Sequence, residues 1–433
     1  MIRVLKRVEV ERFRGKWKNV AIGDFMAKGD IKNIFSDHWE TFLEIYGHNV
    51  REVVVKEVKK MLGCGSIENG YAEYECSKCG EKKIVPFRCR SRFCNTCGKV
   101  YIDDRAENMV NKLINCKHRH MVFTIPEELR IYFRENRKLL SLLPKCASEV
   151  LKSWWNEQNK DENYTPGIVA VIHTFGRDLK WNPHVHILVT EGAAGDITAW
   201  KKIDFIPYTM LRKRWQKILL DELEKEIGKR KFRQLKNKLY KEKQEGFYVY
   251  GKGEIKNEKA AMNYVGRYTG RPAMAESRII SYDGEKVTYY YERHEDGERI
   301  EETVDAIEFI KKLIIHIPEE QFKMIRYYGI YAQNTKERPQ LIKMVNEKVQ
   351  EIRKKLRSWR MRIMRSFGYD PIECEKCGSK MVISDIVYKD HGSLMESYRK
   401  QILDEAEYEI RRIQEIDRVI RERSAGRITP VFV

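Results

Sequence analysis

Alternation of apolar and polar positions is clearest in residues 181–190, whose sequence is WNPHVHILVT. The pattern predicts a β-strand with one apolar face, whose residues alternate with His184, His186 and Leu188. Those apolar residues are Val185, Ile187 and Val189. Because residues i and i+2 point the same way on a strand, the two imidazoles leave one face about 7 Å apart. They are a candidate ligand pair for a divalent metal ion, although a His-x-His pair alone is a weak signal.

Further strands and several helices are predicted around this strand. Residues 118–126 and 168–174 are apolar strands, and the second joins 181–190 through a turn at 176–178, which predicts an antiparallel hairpin. Another hairpin is predicted from 278–282 and 286–292, across Asp283-Gly284. Helical periodicity is present in residues 31–61 (one helix or a pair), 128–158, 208–244, 257–270, 306–316, 340–366 and 394–424. The hairpin of 168–174 and 181–190 places the histidine pair near the middle of an antiparallel sheet.

The composition of the chain indicates a polyanionic partner. Of the 433 residues, 83 are Lys or Arg and 64 are Asp or Glu, which gives a formal net charge of +19. Such a surplus favours nucleic acid as the partner, because each neutralised phosphate releases counterions. No run of 18 apolar residues predicts a membrane helix, and the first residues lack the apolar core of a signal peptide. We therefore expect a cytoplasmic protein with no membrane partner.

Ten cysteines in a reducing compartment favour metal binding over disulfides. Two Cys-x2-Cys pairs lie 14 residues apart, each followed by glycine, which is close to the spacing of a zinc ribbon. The predicted ligands of this one structural zinc ion are Cys76, Cys79, Cys94 and Cys97. Cys64 and Cys89 are near enough in the sequence to substitute for one of them or to bind a second ion. Cys374-x2-Cys377 supplies only half of the ligands of a metal site, since no further cysteine pair follows it. His391 is a weak candidate for a third ligand.

Residues 257–270 form a predicted helix that carries Tyr264 and Tyr268. Because these residues are four apart, both hydroxyls lie on one helix face. Arg267 and Arg271 flank the pair and are candidate DNA-binding residues. A tyrosine pair at helical spacing more often packs in a core, so its meaning depends on the chemistry around it.

Two other predicted helices are strongly basic. Residues 208–244 combine an apolar stripe with a cationic remainder, and residues 340–366 end in a run of arginines beside Trp359. We take Lys231, Arg233, Arg357 and Arg360 as candidate DNA-binding residues; a solvated surface face is the alternative. The charged helix 394–424 carries a narrow isoleucine stripe, typical of a coiled coil or of docking against the protein body.

The histidine pair, the tyrosine pair and the basic frame suit one chemistry. A tyrosine hydroxyl has a pKa near 10 and attacks a phosphodiester poorly unless the phosphate is made more electrophilic. A divalent ion held by His184 and His186 would bind a non-bridging oxygen of that phosphate and align it for attack. Tyrosine then becomes an enzyme–DNA phosphodiester, which stores the bond energy for rejoining. Two tyrosines allow two successive strand transfers.

These residues also carry a family resemblance. His184-Val185-His186 matches the His-hydrophobic-His motif, Tyr264-x3-Tyr268 matches a two-tyrosine motif, and FTIP at 123–126 resembles the first conserved strand of rolling-circle replication initiators. With the cysteine pairs ahead of them, they resemble the HUH transposases of the insertion sequence 91 family, over about residues 31–381. The likeness includes RYTGRPAMAESRI (267–279), HIPEEQFKMIRYYGIYA (316–332) and CEKCGSKM (374–381).

The resemblance implies an α+β fold class. The expected HUH endonuclease domain has a central antiparallel sheet flanked by helices, and it is joined by an N-terminal zinc-ribbon-like domain and a helical C-terminal region. It implies single-stranded DNA of transposon ends and target as substrate, and Mg²⁺ or Mn²⁺ as the catalytic ion. A 5′-phosphotyrosine intermediate would leave a free 3′-hydroxyl that primes the host replication machinery. The expected location is the cytoplasm of a bacterial or archaeal cell, in association with the nucleoid.

Carried over by position, His184 and His186 are metal ligands and Tyr264 and Tyr268 are nucleophiles. The resemblance places Zn²⁺ on Cys76, Cys79, Cys94 and Cys97, with counterparts for Cys64 and Cys89. A third ligand of the catalytic ion is expected; the candidates are Asn263, Glu258 and Glu191.

Four domains are expected along the chain. They are a helical arm at 1–62, a zinc-binding domain at 63–115, a catalytic domain at 116–335 and a basic helical region at 336–433 that holds Cys-x2-Cys and the candidate coiled coil. Two alternatives to a transposase stay open at this point. One is a zinc-dependent nucleic-acid-binding protein without catalysis, and the other is a plasmid replication initiator or relaxase with the same active site.

Overall fold

The computed structural model describes residues 30–158, 162–203, 205–255, 257, 259–261, 264, 273–293, 296–335, 341–355 and 357–424. As far as it is described, the chain divides into two compact units. Unit 1 comprises the segments Met1–Leu62 and Arg90–Gly368, and unit 2 comprises Gly63–Cys89 and Tyr369–Val433. Unit 2 is therefore discontinuous in sequence, and its boundaries differ from those of the four expected domains. Among the described residues, no helix combines the length and hydrophobicity that crossing a membrane requires.

The described helices and strands together confirm the α+β class. The helices are α1 (Asp30–Tyr46), α2 (Glu52–Leu62), α3 (Asn95–Val110), α4 (Glu127–Glu135), α5 (Leu142–Gln158), α6 (Tyr208–Ile227), α7 (Lys229–Glu242), α8 (Ala306–Ile314), α9 (Glu347–Lys355), α10 (Trp359–Phe367) and α11 (Leu394–Ser424). The strands are β1 (Tyr71–Cys76), β2 (Lys82–Pro86), β3 (His118–Thr124), β4 (Thr165–Phe175), β5 (Trp181–Ala194), β6 (Lys201–Lys202), β7 (Val249–Ile255), β8 (Ile279–Tyr282), β9 (Lys286–Glu292), β10 (Arg299–Asp305), β11 (Ile325–Gly329), β12 (Met381–Tyr388) and β13 (Gly392–Ser393).

The main sheet of unit 1 is antiparallel and has the order β11–β4–β5–β3–β7, with β6 paired to the end of β5. The predicted hairpin is confirmed, because β4 pairs antiparallel with β5. β5 lies in the middle of the sheet, between β4 and β3, as the apolar alternation of its sequence predicted. Both faces of this strand are covered, so its apolar and histidine positions face different surroundings.

One face of the main sheet carries the largest core of unit 1. Helices α5 and α6 supply much of this core, and α7 adds Phe232 and Leu239. From β5 the core takes Val185, Ile187 and Val189, and from β3 it takes Met121 and Phe123. Each such side chain contributes roughly 1.5–3 kcal/mol when it is fully buried.

The opposite face is the face of His184 and His186. Its smaller apolar cluster combines residues of α3 with Val169 of β4 and Leu188 of β5. Val169 pairs with Leu188 in the β4–β5 register, so both side chains leave the same side of the sheet. The sheet thus separates a purely apolar core from the side that bears the candidate chemistry.

Three of the predicted long helices are divided, and the one predicted over 128–158 is divided between α4 and α5. The helix predicted over 208–244 divides at Gly228, whose φ of 98° is a conformation that favours glycine and ends α6. The helix predicted over 340–366 divides before α10, where Ser358 is the N-cap and its Oγ accepts a hydrogen bond from the Met361 N–H. Helical periodicity continued through these last two breaks, so the sequence pattern did not show them.

The sequence predicted either one helix or a pair of helices over residues 31–61. The structure has the pair, α1 and α2. Unit 1 also contains a small three-stranded sheet in the order β10–β9–β8. Its β8–β9 hairpin confirms the turn predicted at Asp283-Gly284, where the Asp283 carboxylate accepts hydrogen bonds from the backbone N–H groups of Glu285 and Lys286. α1 packs near this sheet, and the Tyr282 hydroxyl donates to Asp37 at 2.8 Å.

Unit 2 is a four-stranded antiparallel sheet in the order β13–β12–β1–β2, followed by α11. The pairing of β1 with β12 joins segments about 300 residues apart and sets Cys76 opposite Met381. As a result, Cys76 and Cys79 lie beside Cys374 and Cys377. The predicted grouping of Cys76 and Cys79 with Cys94 and Cys97 is therefore wrong.

The other cysteines of the predicted zinc region are Cys64, Cys89, Cys94 and Cys97. Cys94 caps the N-terminus of α3 and Cys97 lies in its first turn, both buried in unit 1. Cys64 and Cys89 lie together in unit 2, where the Cys89 N–H donates to the Cys64 Sγ at 3.5 Å. That Cys94 and Cys97 bind zinc, with Cys64 and Cys89 as candidates for additional ligands, stays a prediction of the sequence.

Candidate metal and nucleophile site

Three histidines converge on the second face of the main sheet. His184 and His186 come from β5, and His173 comes from β4, where it pairs directly with His184. Their ligand nitrogens all lie within 4.8 Å of one another. The Nε2 atoms of His184 and His186 are 3.0 Å apart. The predicted same-face placement of His184 and His186 is what brings these nitrogens together.

His173 is a site residue that the sequence interpretation missed. The sequence carried no clear signal for it, because counting outward from the predicted turn at 176–178 sets residue 173 opposite residue 181, whereas the observed register sets it opposite residue 184. Glu191, one of the third-ligand candidates, is engaged elsewhere: its carboxylate accepts a hydrogen bond from Arg119 Nε at 2.7 Å. Asn263 and Glu258 lie outside the described residues.

Hydrogen bonds orient the two β5 imidazoles. The Nδ1–H of His184 donates to the carbonyl of Asn182 at 2.7 Å, which leaves Nε2 with a lone pair. His186 Nδ1 lies 3.0 Å from Nε2 of His120, a neighbour on β3. A metal-binding histidine usually carries such a partner on its second nitrogen, which fixes its tautomer and ring orientation.

Burial keeps these imidazoles neutral. Desolvation lowers the pKa of His184, and it lowers the pKa of His186 well below the usual value. Desolvation, with a smaller electrostatic contribution from the neighbouring His184, lowers the pKa of His120 to about 4. Neutral imidazole is the form that binds a metal ion, so the ligands need not lose a proton first.

The donor set fits a divalent ion. Two cis ligands at about 2.1 Å from an octahedral ion are about 3.0 Å apart, which equals the His184–His186 Nε2 separation. Three imidazoles form an all-nitrogen set, and nitrogen ligands favour transition metals over the oxygen-seeking Mg²⁺. The residues present would therefore hold an ion such as Mn²⁺.

Tyr264 lies on the same side of the sheet as the histidines. It has helical backbone geometry, is 5 % exposed and packs in the cluster that contains Leu188. Its ring stands edge to face against His120, with 4.9 Å between the ring centroids and 62° between the planes. Of the predicted nucleophile pair, Tyr268 lies outside the described residues, as do the flanking Arg267 and Arg271.

The other predicted DNA-binding cations lie away from this cluster or are engaged in ion pairs. Lys231 and Arg233 are exposed on α7, whose apolar residues pack on the opposite face of the sheet. Arg357 is 3.8 Å from the carboxylate of Glu107, and Arg360 is half-buried at the start of α10. The arginines at the end of α10 also pair with acidic residues of α3, so part of the positive charge is neutralised inside unit 1.

A pair of exposed tyrosines is a further feature that the sequence interpretation missed. Val122 pairs with both His186 and Tyr250, so the Tyr250 side chain leaves the histidine face, two strands or about 10 Å away. Tyr248 is stacked beside Tyr250, with 6.1 Å between centroids and 14° between planes. The Arg212 guanidinium lies 5.0 Å above the Tyr248 ring. The alternation FYVY at 247–250 was the sequence signal for this pair.

The fold and the site define an α+β protein in which three histidines that could bind a metal ion lie near a buried tyrosine. Two family models match the chain, "Transposase zinc-binding domain" over residues 34–125 and "Putative transposase" over residues 167–338. Together with the relatives below, these matches support an insertion sequence 91 family transposase, an enzyme that cleaves and rejoins DNA. DNA is accordingly its partner, and the zinc-binding domain supports Zn²⁺ as a bound ion.

Two curated relatives support the same conclusion. The chain is 29% identical over 374 residues to "Transposase for insertion sequence element IS801" of Pseudomonas savastanoi pv. phaseolicola, which covers 81% of this chain and 88% of the relative. It is 29% identical over 281 residues to "Putative transposase y4qJ" of Sinorhizobium fredii (strain NBRC 101917 / NGR234), covering 60% and 70%. No solved structure matched the chain.

Proposed function

We propose that this transposase is an HUH tyrosine endonuclease that nicks and rejoins single-stranded DNA in rolling-circle transposition. The observation that carries the proposal is the contact of Tyr264 with His120, which itself lies 3.0 Å from the metal-type ligand His186. The proposed nucleophile and the proposed metal ligands lie on the same side of the sheet. His173, His184 and His186 are the proposed ligands, and Tyr264 and Tyr268 are the proposed nucleophiles.

The bound ion, Mn²⁺ or Mg²⁺, would supply Lewis-acid polarisation of a non-bridging phosphate oxygen. Tyr264 performs the covalent step: its Oη forms a bond to phosphorus while the bond from phosphorus to the 3′-oxygen breaks. The hydroxyl loses its proton and the departing 3′-oxygen gains one, so the step consumes no cofactor. The product is a 5′-phosphotyrosine and a free 3′-hydroxyl. Attack of a 3′-hydroxyl on the phosphotyrosine reverses the step and rejoins DNA.

Single-stranded DNA is the substrate form that the exposed aromatic surface supports best. Unpaired bases stack on aromatic side chains, and this stacking contributes about 1–3 kcal/mol per base. Tyr248 and Tyr250 present two nearly parallel rings on the histidine face, and Arg212 adds a cation above Tyr248. A strand lying on these rings would run toward the histidine cluster across β3. The net charge of +19 favours binding of the phosphates of this strand.

The test is capture of the covalent adduct. Purified protein, single-stranded DNA that carries the ends of the element and Mn²⁺ should give a DNA–protein species that survives denaturing electrophoresis. Peptide mass spectrometry should place the nucleotide on Tyr264 or Tyr268. The double variant Tyr264→Phe, Tyr268→Phe should form no adduct, because both proposed nucleophiles are gone.

Tyr240→Phe is the matched control, since Tyr240 is an exposed tyrosine of α7 on the far side of the sheet. It should form adduct at the rate of the unaltered protein. Adduct that persists in the double variant would refute the tyrosine assignment. Salt-sensitive binding with no cleavage under any divalent ion would instead favour a binding protein without catalysis.

A further inference from the structure

The sequence contains the same octapeptide pattern twice, at residues 75–82 and 373–380. ECSKCGEK and ECEKCGSK share Glu-Cys-x-Lys-Cys-Gly-x-Lys, and 290 residues separate the two segments. The first segment ends β1 and the second precedes β12, and these two strands pair. Both copies therefore meet at one end of the sheet of unit 2.

The two segments also have the same backbone geometry. In the first, the Gly80 N–H donates to the Cys76 carbonyl at 2.8 Å, and the Cys76 N–H donates to the Glu81 carbonyl at 2.9 Å. In the second, Gly378 and Cys374 make the equivalent bonds, to Cys374 and Ser379, at 2.8 and 2.9 Å. The φ angles of Gly80 and Gly378 are 70° and 69°, a conformation that favours glycine. These are two matching Cys-x2-Cys turns.

The four thiols of these turns form a compact set. Cys76 Sγ lies 3.5 Å from Cys377 Sγ, and Cys79 Sγ lies 3.6 Å from Cys374 Sγ. Four sulfurs at about 2.3 Å from a tetrahedral zinc ion would be about 3.8 Å apart. These two sulfur–sulfur distances are slightly shorter than those of a zinc–tetrathiolate site. The number and the type of ligands are the same as in such a site.

Other contacts connect the two turns. The Lys83 ammonium lies 3.0 Å from Glu375, and the Lys376 ammonium lies 3.8 Å from Glu81, so each segment pairs with a charge of the other. The apolar core here is small. Its buried members are Tyr74, Cys76, Cys374 and Met381. A core of this size supplies little stability, and small domains of this kind usually depend on a metal ion or a disulfide.

We propose that Cys76, Cys79, Cys374 and Cys377 bind one structural zinc ion, and that the two halves of this zinc ribbon come from the two ends of the chain. The catalytic unit is then a long insertion between the halves, from Arg90 to Gly368. One consequence is that residues 34–125, which match the zinc-binding family model, contain only half of the ligands of this ion. A second is that folding of residues 369–393 depends on zinc.

Zinc content of the full-length protein distinguishes a shared ion from separate ones. We would measure zinc per chain by mass spectrometry of the metal in three variants: Cys76→Ser with Cys79→Ser, Cys374→Ser with Cys377→Ser, and all four changes together. Each variant should contain one equivalent less than the unaltered protein, and the fourfold variant should lose no more than that. Cys116→Ser, a cysteine of unit 1 outside both turns, is the control and should retain all zinc.

Alkylation of the unaltered protein provides a measurement that does not depend on the folding of a variant. As a chelator removes zinc, the thiols at positions 76, 79, 374 and 377 should become reactive together, over the same chelator range. Two results would overturn the proposal. One is full zinc content in the Cys374→Ser, Cys377→Ser variant, and the other is alkylation of Cys374 and Cys377 at equal rates with and without chelator.

Discussion

His173 lies directly opposite His184 in the antiparallel register of β4 and β5, and their ring centroids are 5.4 Å apart with the planes at 75°. His173 is closer still to His186, at 4.5 Å between ring centroids. The third imidazole therefore comes from the neighbouring strand of the same hairpin, held in place by the backbone pairing that positions the first two. A site on paired strands in the middle of a sheet is rigid, as metal ligands require.

We expect His173→Ala to lower Mn²⁺ affinity by at least about 100-fold, to the same extent as His184→Ala. Removing a partner that only orients a ligand costs 10–100-fold, and loss of a ligand should cost no less. Titration calorimetry with Mn²⁺ measures the effect. His48→Ala, at an exposed position between α1 and α2, is the control and should bind Mn²⁺ normally. Unchanged affinity in His173→Ala would remove this residue from the site.

The all-histidine donor set leads to a prediction about metal preference. Imidazole nitrogen binds Mn²⁺ better than Mg²⁺, whose preferred ligands are carboxylates, carbonyls and water. Adduct formation should therefore reach half its maximum at a lower Mn²⁺ than Mg²⁺ concentration, by about tenfold or more. The measurement is a titration of each ion at constant ionic strength. Equal half-maximal concentrations would indicate that an oxygen ligand dominates the site.

The hairpin of the main sheet was predictable from the sequence because its information is local. The period of Val185, Ile187 and Val189 fixed which side His184 and His186 occupy, and the short turn fixed the antiparallel pairing. His173 is a single histidine in an apolar strand, and a single histidine carries no signal until the register is known. Once the pairing is established, its place opposite His184 follows.

The cysteine pairing was not predictable by spacing, because its cause is the pairing of β1 with β12 across some 300 residues. Cys94-x2-Cys97 is nearer to Cys76-x2-Cys79 in the sequence, so spacing alone predicted that these two pairs share one zinc ion. A comparison of the flanking residues would have favoured the distant pair, since Glu-Cys-x-Lys-Cys-Gly-x-Lys recurs only around Cys374 and Cys377. Local periodicity predicts strands but carries no information about which distant strands pair.

The stacked pair Tyr248 and Tyr250, at the start of β7, allows a test of whether the substrate is single-stranded DNA. Tyr248→Ala or Tyr250→Ala should weaken binding of single-stranded DNA by roughly 5- to 150-fold, since stacking contributes about 1–3 kcal/mol per base. Tyr248→Phe keeps the ring and should bind like the unaltered protein. Fluorescence anisotropy with a labelled oligonucleotide at fixed salt measures both. Normal affinity in both alanine variants would show that the strand takes another path.

Acid should destabilise unit 1 in part through His316. Its Nε2–H donates to the Leu179 carbonyl at 2.9 Å, and its Nδ1 lies 3.1 Å from the Thr174 hydroxyl, so the folded protein holds a neutral ring. Burial lowers the pKa of His316 to about 4, below the usual 6.5. Because the folded-state pKa is depressed, this stabilisation is complete above pH 6.5 and is lost as the pH falls toward 4.

For a shift of this size we expect the free energy of unfolding to fall by about 2 kcal/mol between pH 7 and pH 5 on account of this one residue. His316→Gln keeps one donor and one acceptor in the pocket and cannot become charged. Its free energy of unfolding should be lower at pH 7 yet decline less steeply toward pH 5, and denaturant titrations at the two pH values measure the difference. Other titrating groups contribute equally to both proteins, so parallel declines would mean that His316 does not stay neutral through this range.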